Sequence, residues 1–514
     1  MIPFLLFLIL IFNCGCIDKV DGSDEVNNEL VIGISENTFG FFPWIESYDV
    51  STISMNHNIF NTLVGFDNIF RVKAELAESW NNPDNITWRF RLRKGVTFHN
   101  GYDLTAEDVK YSIDRILNDK DHVLNDLLLS VNETRVVDNL TIDIITKEPC
   151  PILLNKLTDI FIGSKKYLEE TDIKSPIGTG AYRLLEHSYS NYTILESYDD
   201  YWRGKPDFDK VTFKIIENCS ERKDALLSND IDIAASILTT YYDNLSKNPD
   251  INLYTITTPT VTYLGLDFRE YNYKLYGDQK NPLSDIRVRK ALYHAIDIES
   301  LIEKTSNQTM LSDPATQYIT PMIYGYNPDI ERLDYDLDES RRLLNESGYP
   351  NGFDLVLDCS VDYFNQLSVC EIIEQQLSEI TNISLRRSTT EEYFGKIIQK
   401  NTSFYIIGWM AATGDGGEIY DYLLRSNHTE EGIGLYNCGY YYNPEVDRIA
   451  VEIAHNMDFK DRLGLMQDGF DIAMDDVACI PLVSSKMIYG ARDYIDWVPY
   501  SNMNIIVENI KLKK

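Results

Sequence analysis

The chain has 514 residues, of which 44% are hydrophobic and 12% aromatic, and its formal net charge is −33. This composition predicts a globular protein, and the length exceeds what one hydrophobic core normally holds, so we expect the chain to divide into lobes. The strong negative charge argues against nucleic acid as a partner, because phosphate groups are bound by basic surfaces.

The N-terminus has the pattern of an export signal. Ile2 to Phe12 form an almost unbroken apolar run, which is shorter than the roughly 20 residues of a membrane-spanning helix and typical of a signal peptide. Gly15-Cys16 follows and resembles a lipobox, so we expect residues 1–16 to be a signal and anchor segment with Cys16 lipidated. Without lipidation the segment would remain as an uncleaved membrane tether. Residues 17–29 are polar and predict a flexible link to the folded body.

The segment after residue 87 predicts a strand, a turn and a capped helix. Trp88 to Leu92 alternate apolar and basic residues, the period-2 pattern of a half-buried strand. Asn100-Gly101 predicts a tight turn. Thr105 to Asp108 form a capping box, and apolar residues at helical spacing follow from Val109 to Leu117.

The second half of the chain alternates helices and strands of ordinary length. We predict helices at 284–295, 338–347, 367–378 and 391–399, and strands at 353–357, 383–386 and 404–408. Such alternation predicts an α/β fold with a mostly parallel, helix-covered sheet.

In such sheets, ligands bind beyond the carboxyl ends of the strands. The three loops at those ends carry the candidate ligand-binding residues, which are Asp362, Tyr363, Arg387, Trp409 and Asp415, with Arg386 beside them. A carboxylate, a guanidinium and large aromatic rings suit an amphiphilic ligand with a charged end.

Several segments, in order along the chain, resemble the family-five extracellular solute-binding proteins, which are the receptors of ABC importers for peptides, nickel and oligosaccharides. The segments are Trp88–Ile116, Pro176–Tyr182, Tyr201–Pro206, Asp285–Asp297, Tyr335–Gly352, Tyr442–Asp447 and Ile480–Leu482. They run in family order from about residue 30 to the C-terminus. The resemblance implies an extracytoplasmic binding protein on the outer face of the cell membrane that delivers its ligand to an ABC permease. It implies no enzyme activity and no cofactor, and we expect a monomer.

The same resemblance implies a type II, periplasmic-binding-protein-like fold with two lobes and a hinge where the chain crosses between them twice. Lobe I would comprise residues 30–259, with an inserted subdomain at about 57–174, and lobe II residues 260–478. The return to lobe I would comprise 479–514. Hinge closure on the ligand follows from this arrangement.

The candidate site departs from the peptide-binding pattern at two positions. Peptide-binding relatives place an aspartate three residues after the tryptophan that matches Trp409, where it binds the ligand's ammonium group. That position is Ala412 here, so the resemblance leaves Asp415 as the nearest carboxylate. The loop of Asp362 and Tyr363 lacks the arginine of dipeptide binders, and Arg387 is the substitute.

Despite these departures we expect small peptides as ligands, with a metal chelate or an oligosaccharide as alternatives in the same family. His428 would be the histidine nearest to the Trp409 loop for a nickel complex, and the 34 tyrosines would supply platforms for a sugar. A secreted hydrolase is the alternative of another class. It is disfavoured because the sequence contains neither a GxSxG nor an HExxH motif.

The cysteines do not have the spacing of a zinc site, since no pair after Cys16 is spaced as CxxC. Cys359 and Cys370 bracket a short loop between a predicted strand and helix. Both a disulfide and buried free thiols fit this pair.

Overall fold

The computed structural model describes residues 28–513 except 39, 44, 46, 48, 171–174, 306–311, 364–365 and 427–432. The predicted signal segment, with Cys16, and nearly all of the predicted tether therefore lie outside the described residues, as does His428. Within the described ranges, no helix combines the length and apolarity needed to cross a membrane.

The strands are β1 Glu29–Ile34, β2 Val64–Phe66, β3 Val72–Ala74, β4 Ala77–Asn81, β5 Thr87–Leu92, β6 Val131–Asp138, β7 Thr141–Thr146, β8 Tyr182–Ser188, β9 Tyr192–Ser197, β10 Lys210–Ile215, β11 Ile233–Ala234, β12 Ile251–Leu266, β13 Ser312–Pro314, β14 Asp354–Ser360, β15 Asn382–Ser388, β16 Phe404–Met410, β17 Cys479–Arg492, β18 Ile495–Asp496 and β19 Lys511–Leu512.

The helices are α1 Val50–Ile59, α2 Ala106–Asn118, α3 Asn125–Leu128, α4 Leu153–Lys156, α5 Lys165–Glu170, α6 Cys219–Leu227, α7 Tyr242–Leu245, α8 Tyr273–Tyr276, α9 Ile286–His294, α10 Ile298–Thr305, α11 Leu337–Glu346, α12 Gln366–Leu377, α13 Thr390–Ile398, α14 Gly417–Ile419, α15 Pro444–His455 and α16 Phe459–Asp475. The predicted helices of the second half correspond to α9, α11, α12 and α13, and the predicted strands to β14, β15 and β16.

One large sheet joins both halves of the molecule in the order β15-β14-β16-β12-β17-β11-β1-β10-β9-β8, and β13 pairs with β17. Parallel pairs occur at two places, where β14 meets β15 and β16 and where β1 meets β10 and β11. The expectation of a mostly parallel sheet therefore holds only locally. The sheet is mixed because two long strands, β12 and β17, run antiparallel to each other through its middle.

β12 and β17 carry the chain between two separate hydrophobic cores. Ile256 packs against the first core and Leu264 belongs to the second; on the return strand Leu482 belongs to the second core and Met487 to the first. The pairing of the two strands shifts register after Thr257. A second shift follows between Thr262 and Tyr263. The architecture is thus two lobes connected by a pair of strands whose pairing is irregular between the two cores.

The predicted strand and capped helix of the first lobe are confirmed. Trp88, Phe90 and Leu92 of β5 are buried, and β5 lies in a separate four-stranded sheet of order β4-β5-β7-β6. The capping box of Thr105 and Asp108 begins α2 with both reciprocal hydrogen bonds present.

His99, which follows β5, connects this segment to the glycine-rich segment before β8. Its Nε2 hydrogen-bonds to Gly180 O at 3.0 Å, and its Nδ1 accepts from Gly178 N at 3.3 Å. Both glycines lie against the end of α1, where a Cβ on Gly178 would sit 2.0 Å from Ile59 O. Burial lowers the pKa of His99 to about 4, so the imidazole is neutral.

Of the two alternatives for Cys359 and Cys370, the structure contains the disulfide. It connects the end of β14 to α12 and closes the loop that carries Asp362 and Tyr363. Among the described residues Cys150, Cys219, Cys438 and Cys479 are free thiols, and Cys219 is the only one of these that is not buried.

Candidate functional site

The carboxyl ends of β15, β14 and β16 lie side by side at one edge of the sheet, because these neighbouring strands are parallel. This places Arg387, the loop of Asp362 and Tyr363, and Trp409 in that order along the edge. Arg387 is therefore separated from Trp409 by the whole width of β14.

Trp409 is half-buried and lies in an aromatic group. Its ring centroid is 5.8 Å from that of Tyr422 and 5.3 Å from that of Tyr436, which is 42% exposed. Its Nε1 donates a hydrogen bond of 2.9 Å to Glu418 Oε1. The indole is thus fixed at its polar end while an aromatic surface remains accessible.

Glu418 is buried and uses both carboxylate oxygens. Oε1 accepts from Trp409, and Oε2 accepts from the Thr413 backbone N–H at 3.0 Å and from the Thr413 hydroxyl. Burial raises the pKa of Glu418, while these hydrogen bonds counteract the shift. Sequence patterns gave no sign of this residue, because its partners are defined only by the loop conformation.

Asp415 is 3% exposed and paired with Arg462 of α16, which is buried as well. The two guanidinium–carboxylate distances are 2.6 and 2.7 Å, and Asp415 Oδ1 also accepts from Gly417 N at 2.8 Å. Both oxygens are engaged, so this geometry argues against the ammonium-binding role expected for Asp415. Its carboxylate instead holds the loop onto the helix behind it.

Asp362 also bonds to its own lobe. It accepts from the Ser360 hydroxyl at 2.9 Å and from the Thr390 N–H and hydroxyl at 2.8 and 2.6 Å. These bonds lower the pKa of Asp362, and the bond from the Thr390 hydroxyl has the largest effect. Asp362 therefore links the end of β14 to the start of α13.

Arg387 is exposed, and its guanidinium contacts Glu371 of α12 at 3.2 Å. Arg386 forms an ion pair with Asp358, which is fully buried. Of these two arginines, Arg387 is the one held by a single solvent-exposed partner.

Tyr363 faces the other lobe. Its ring packs edge-on against Phe394 with centroids 5.4 Å apart. Burial raises the pKa of Tyr363, and the negative charge of Glu36 raises it further. Glu36 follows β1 of the first lobe, so this charge acts on Tyr363 from the opposite lobe.

Glu36 is a candidate site residue that sequence reasoning missed. The residue is exposed, yet neighbouring atoms desolvate its carboxylate, and this burial together with the charge of Asp49 raises the pKa of Glu36. Asp49 Oδ2 is buried without a hydrogen-bond partner among the described residues. Glu36 follows the carboxyl end of β1, which lies between two parallel partners, so its position corresponds to that of the strand-end residues in the second lobe.

Past Tyr405, the described part of the chain gives β16 a strand partner on one side only. β12 pairs along its whole length, and Ala411 continues this pairing by donating to Pro259 O at 3.1 Å. Because backbone groups alternate along a strand, the N–H and C=O of Gly408 point away from β12, in the same direction as the Ile406 carbonyl. Gly408 is exposed, and within the described ranges no strand pairs with it there. The cleft is thus bordered by an open strand edge.

The two lobes contact each other beside this edge. Asn155 Nδ2 of α4 donates to Thr413 O at 2.8 Å, and a Cβ on Gly414 would lie 2.7 Å from Phe70 of the β2–β3 turn. His455 of α15 lies 3.1 Å from Glu148. The structure therefore has its lobes in contact.

The family model for bacterial extracellular solute-binding proteins, family 5, middle region, matches residues 71–431, which is more than half of the chain. The protein belongs to family 5 of the bacterial extracellular solute-binding proteins. Members of this family are the binding proteins of ABC importers. The names of the family and of its relative GsiB describe binding proteins.

This family 5 protein is 25% identical over 475 residues to the glutathione-binding protein GsiB of Shigella dysenteriae, covering 90% of each chain. Among solved structures, HbpA2 of Haemophilus parasuis superposes with a TM-score of 0.82 at 22% identity, covering 95% of this chain and 100% of that one. DppA of Helicobacter pylori in complex with the peptide STSA superposes with a TM-score of 0.74 at 22% identity, covering 95% and 98%. These likenesses confirm the two-lobed α/β fold.

Proposed function

We propose that this family 5 protein captures short peptides in an extended conformation between its lobes and delivers them to an ABC permease. The observation that carries the proposal is the open edge of β16 at Gly408. An extended peptide can add to such an edge through main-chain hydrogen bonds, with side chains pointing alternately to either wall. The relatives named for glutathione and crystallised with a peptide support this ligand class.

The side chains around the edge have complementary roles in this proposal. Trp409, with Tyr436 beside it, provides an aromatic surface for a ligand side chain, and Tyr363 borders the opposite end of the edge. Arg387 is the proposed partner of the ligand carboxylate, since its present partner Glu371 is solvent-exposed.

We place the ammonium anchor on the first lobe, at Glu36 with Asp49 beside it. Burial and the neighbouring Asp49 carboxylate raise the pKa of Glu36, and no described residue forms an ion pair with it. A ligand ammonium would neutralise this like-charge pair and give Asp49 Oδ2 a donor. A ligand held at Glu36 and at β16 touches both lobes, so it would favour the closed state.

The localisation that we propose is the outer face of the cell membrane, with Cys16 as the lipid anchor and residues 17–29 as the tether. The support is the apolar run before Cys16 together with the extracellular nature of the family. We also propose that the protein acts as a monomer.

N-methyl scanning of a peptide ligand tests the strand-addition mode. Isothermal titration calorimetry with Ser-Thr-Ser-Ala and with its singly N-methylated forms should show an alternating pattern. N-methylation at a position that faces Gly408 removes a main-chain donor and should weaken binding about tenfold, as expected for loss of a hydrogen bond in a desolvated cleft. The neighbouring position is the matched control. Equal losses at all positions, or no binding by this or any other short peptide, would contradict the proposal.

A further inference from the structure

The loop after β16 contains a continuous set of hydrogen bonds that joins Trp409 to the opposite lobe. Trp409 Nε1 donates to Glu418 Oε1, and Thr413 donates to Glu418 Oε2 from its backbone and its hydroxyl. The carbonyl of the same Thr413 accepts from Asn155 of the first lobe at 2.8 Å. Glu418 and Thr413 thus lie between the Trp409 indole and a contact between the lobes.

This set is buried and has little freedom to rearrange. Glu418 is 5% exposed and Thr413 8% exposed. The loop between them is held from behind by the Asp415–Arg462 ion pair, and Gly414 adopts a left-handed backbone with φ of 67° against Phe70. A displacement of the Trp409 indole therefore moves the Thr413 carbonyl, because the loop between them has little room to change its conformation.

The chemistry of Glu418 suits a connecting role. Only a carboxylate can accept hydrogen bonds on both oxygens without donating one, and all three of its neighbours here are donors. A glutamine of the same size would present an NH₂ group to either Trp409 or Thr413, both of which also donate. One end of the connection would then be lost while the shape of the side chain is kept.

We infer that Glu418 is a positioning residue that couples the orientation of Trp409 to lobe closure, with Asn155 as the closing contact. A ligand that fixes Trp409 stabilises the Thr413 carbonyl in the position that Asn155 reaches. By thermodynamic reciprocity, closure then favours the ligand-binding orientation of the indole by the same factor. The inference rests on the proposed function for the role of Trp409 as a ligand contact.

Fluorine NMR of the full chain labelled with 5-fluorotryptophan tests the coupling without any ligand. The Trp409 signal is assigned from Trp409→Phe. Asn155→Ala should shift this signal although Asn155 does not touch the indole, whereas Asn132→Ala, at an exposed position on β6, should leave it in place. In the Glu418→Gln background, Asn155→Ala should no longer move the signal.

An unmoved Trp409 signal in Asn155→Ala would overturn the inference, as would an equal shift with and without Glu418→Gln. Thr413→Val serves as a second test if Glu418→Gln fails to fold, because it removes only the hydroxyl and should reduce the shift. A separate titration with Ser-Thr-Ser-Ala monitors peptide binding. If the NMR coupling is absent but the peptide binds, the role of Glu418 is refuted and the proposed ligand is not. If the coupling is present but no peptide binds, the proposed ligand is refuted and the role of Glu418 is not.

Discussion

The indole of Trp409 is held at its nitrogen by Glu418 and flanked by tyrosine rings, which suits the aromatic anchor that we propose. Its ring contributes contact area at a low cost in side-chain entropy. Single substitutions can test the proposed chemistry of the cleft, because different side chains have different proposed roles in ligand binding.

Replacement of Trp409 by alanine should weaken peptide binding by at least about 1 kcal/mol, as expected for a buried aromatic anchor. Calorimetric titration of a short peptide measures this loss. Tyr442→Ala is the matched control, because this tyrosine is 67% exposed and is expected to contribute nothing to the cleft. Equal affinities of Trp409→Ala and the parent protein would remove Trp409 from the site.

Replacement of Glu36 by glutamine should weaken binding of peptides with a free amino terminus about tenfold and leave N-acetylated peptides almost unaffected. The reason is that a charged hydrogen bond is worth about 1.5 kcal/mol or more, and only the free ammonium can form it. The comparison requires both ligand forms of one peptide sequence. The same loss for both forms would refute the ammonium-anchor role.

Replacement of Asp415 by asparagine should affect folding rather than ligand choice. It leaves Arg462 buried without its counter-charge, which typically costs about 3 kcal/mol or more of unfolding free energy. Chemical denaturation measures the change. An Asp415→Asn protein of parental stability that has lost only its affinity for free-amino peptides would instead restore the role first expected for this residue.

Among the contacts between elements, His99 attaches the segment between β5 and α2 to the glycine-rich segment before β8. The pKa of His99 is about 4 in the folded protein, because the buried imidazole is desolvated, and its ordinary value is 6.5. Between pH 6.5 and pH 4, the unfolded chain therefore binds one proton at His99 that the folded protein does not bind. This element contact is fully stabilising above pH 6.5 and is weakened as the pH falls toward 4.

We expect His99 to contribute about 3 kcal/mol to the loss of stability across that window. His99→Asn, which keeps an acceptor near the Nδ1 position, should flatten the dependence of unfolding free energy on pH between 6.5 and 4. Urea denaturation at several pH values gives both slopes. Identical slopes in the two proteins would show that His99 does not titrate on unfolding.

Elements in both lobes were predictable because their signals are local. Capping residues, alternating strands and helical spacing define α2, α9, α11 and β5 within one or two residues of their ends. The mixed sheet was not predictable in this way. In its central strands β12 and β17, paired residues are more than two hundred positions apart in the sequence. No local pattern in either strand identifies the other as its partner.

The positions of the candidate residues in the sheet were predictable, but their partners were not. Trp409, Tyr363 and Arg387 were expected at the carboxyl ends of neighbouring strands, and the structure has them at one edge of the sheet. It did not foresee that Asp415 is bonded to Arg462, which lies 47 residues later on another helix. Glu36 escaped notice because its significance depends on the opposite lobe, which only the tertiary fold brings near.

At the scale of the whole molecule, β12 and β17 combine a continuous sheet with a point of irregular pairing between Thr257 and Val261. Rotation of the lobes needs to change only a few backbone angles there, as in other hinge closures. The contact of Asn155 with Thr413 lies near this point, because Ala411, two residues before Thr413, donates to Pro259 O at 3.1 Å. The hinge and the loop after β16 are therefore adjacent.

The central claim is that the cleft holds short peptides, and native mass spectrometry of the gently purified full-length chain tests it most directly. Main-chain recognition at the open edge of β16 is tolerant of side-chain identity, so we predict a ladder of co-purified masses that match short peptides. A single bound species with a nickel isotope pattern, or with the mass of an oligosaccharide, would contradict the account and assign the cleft to another ligand class of the family.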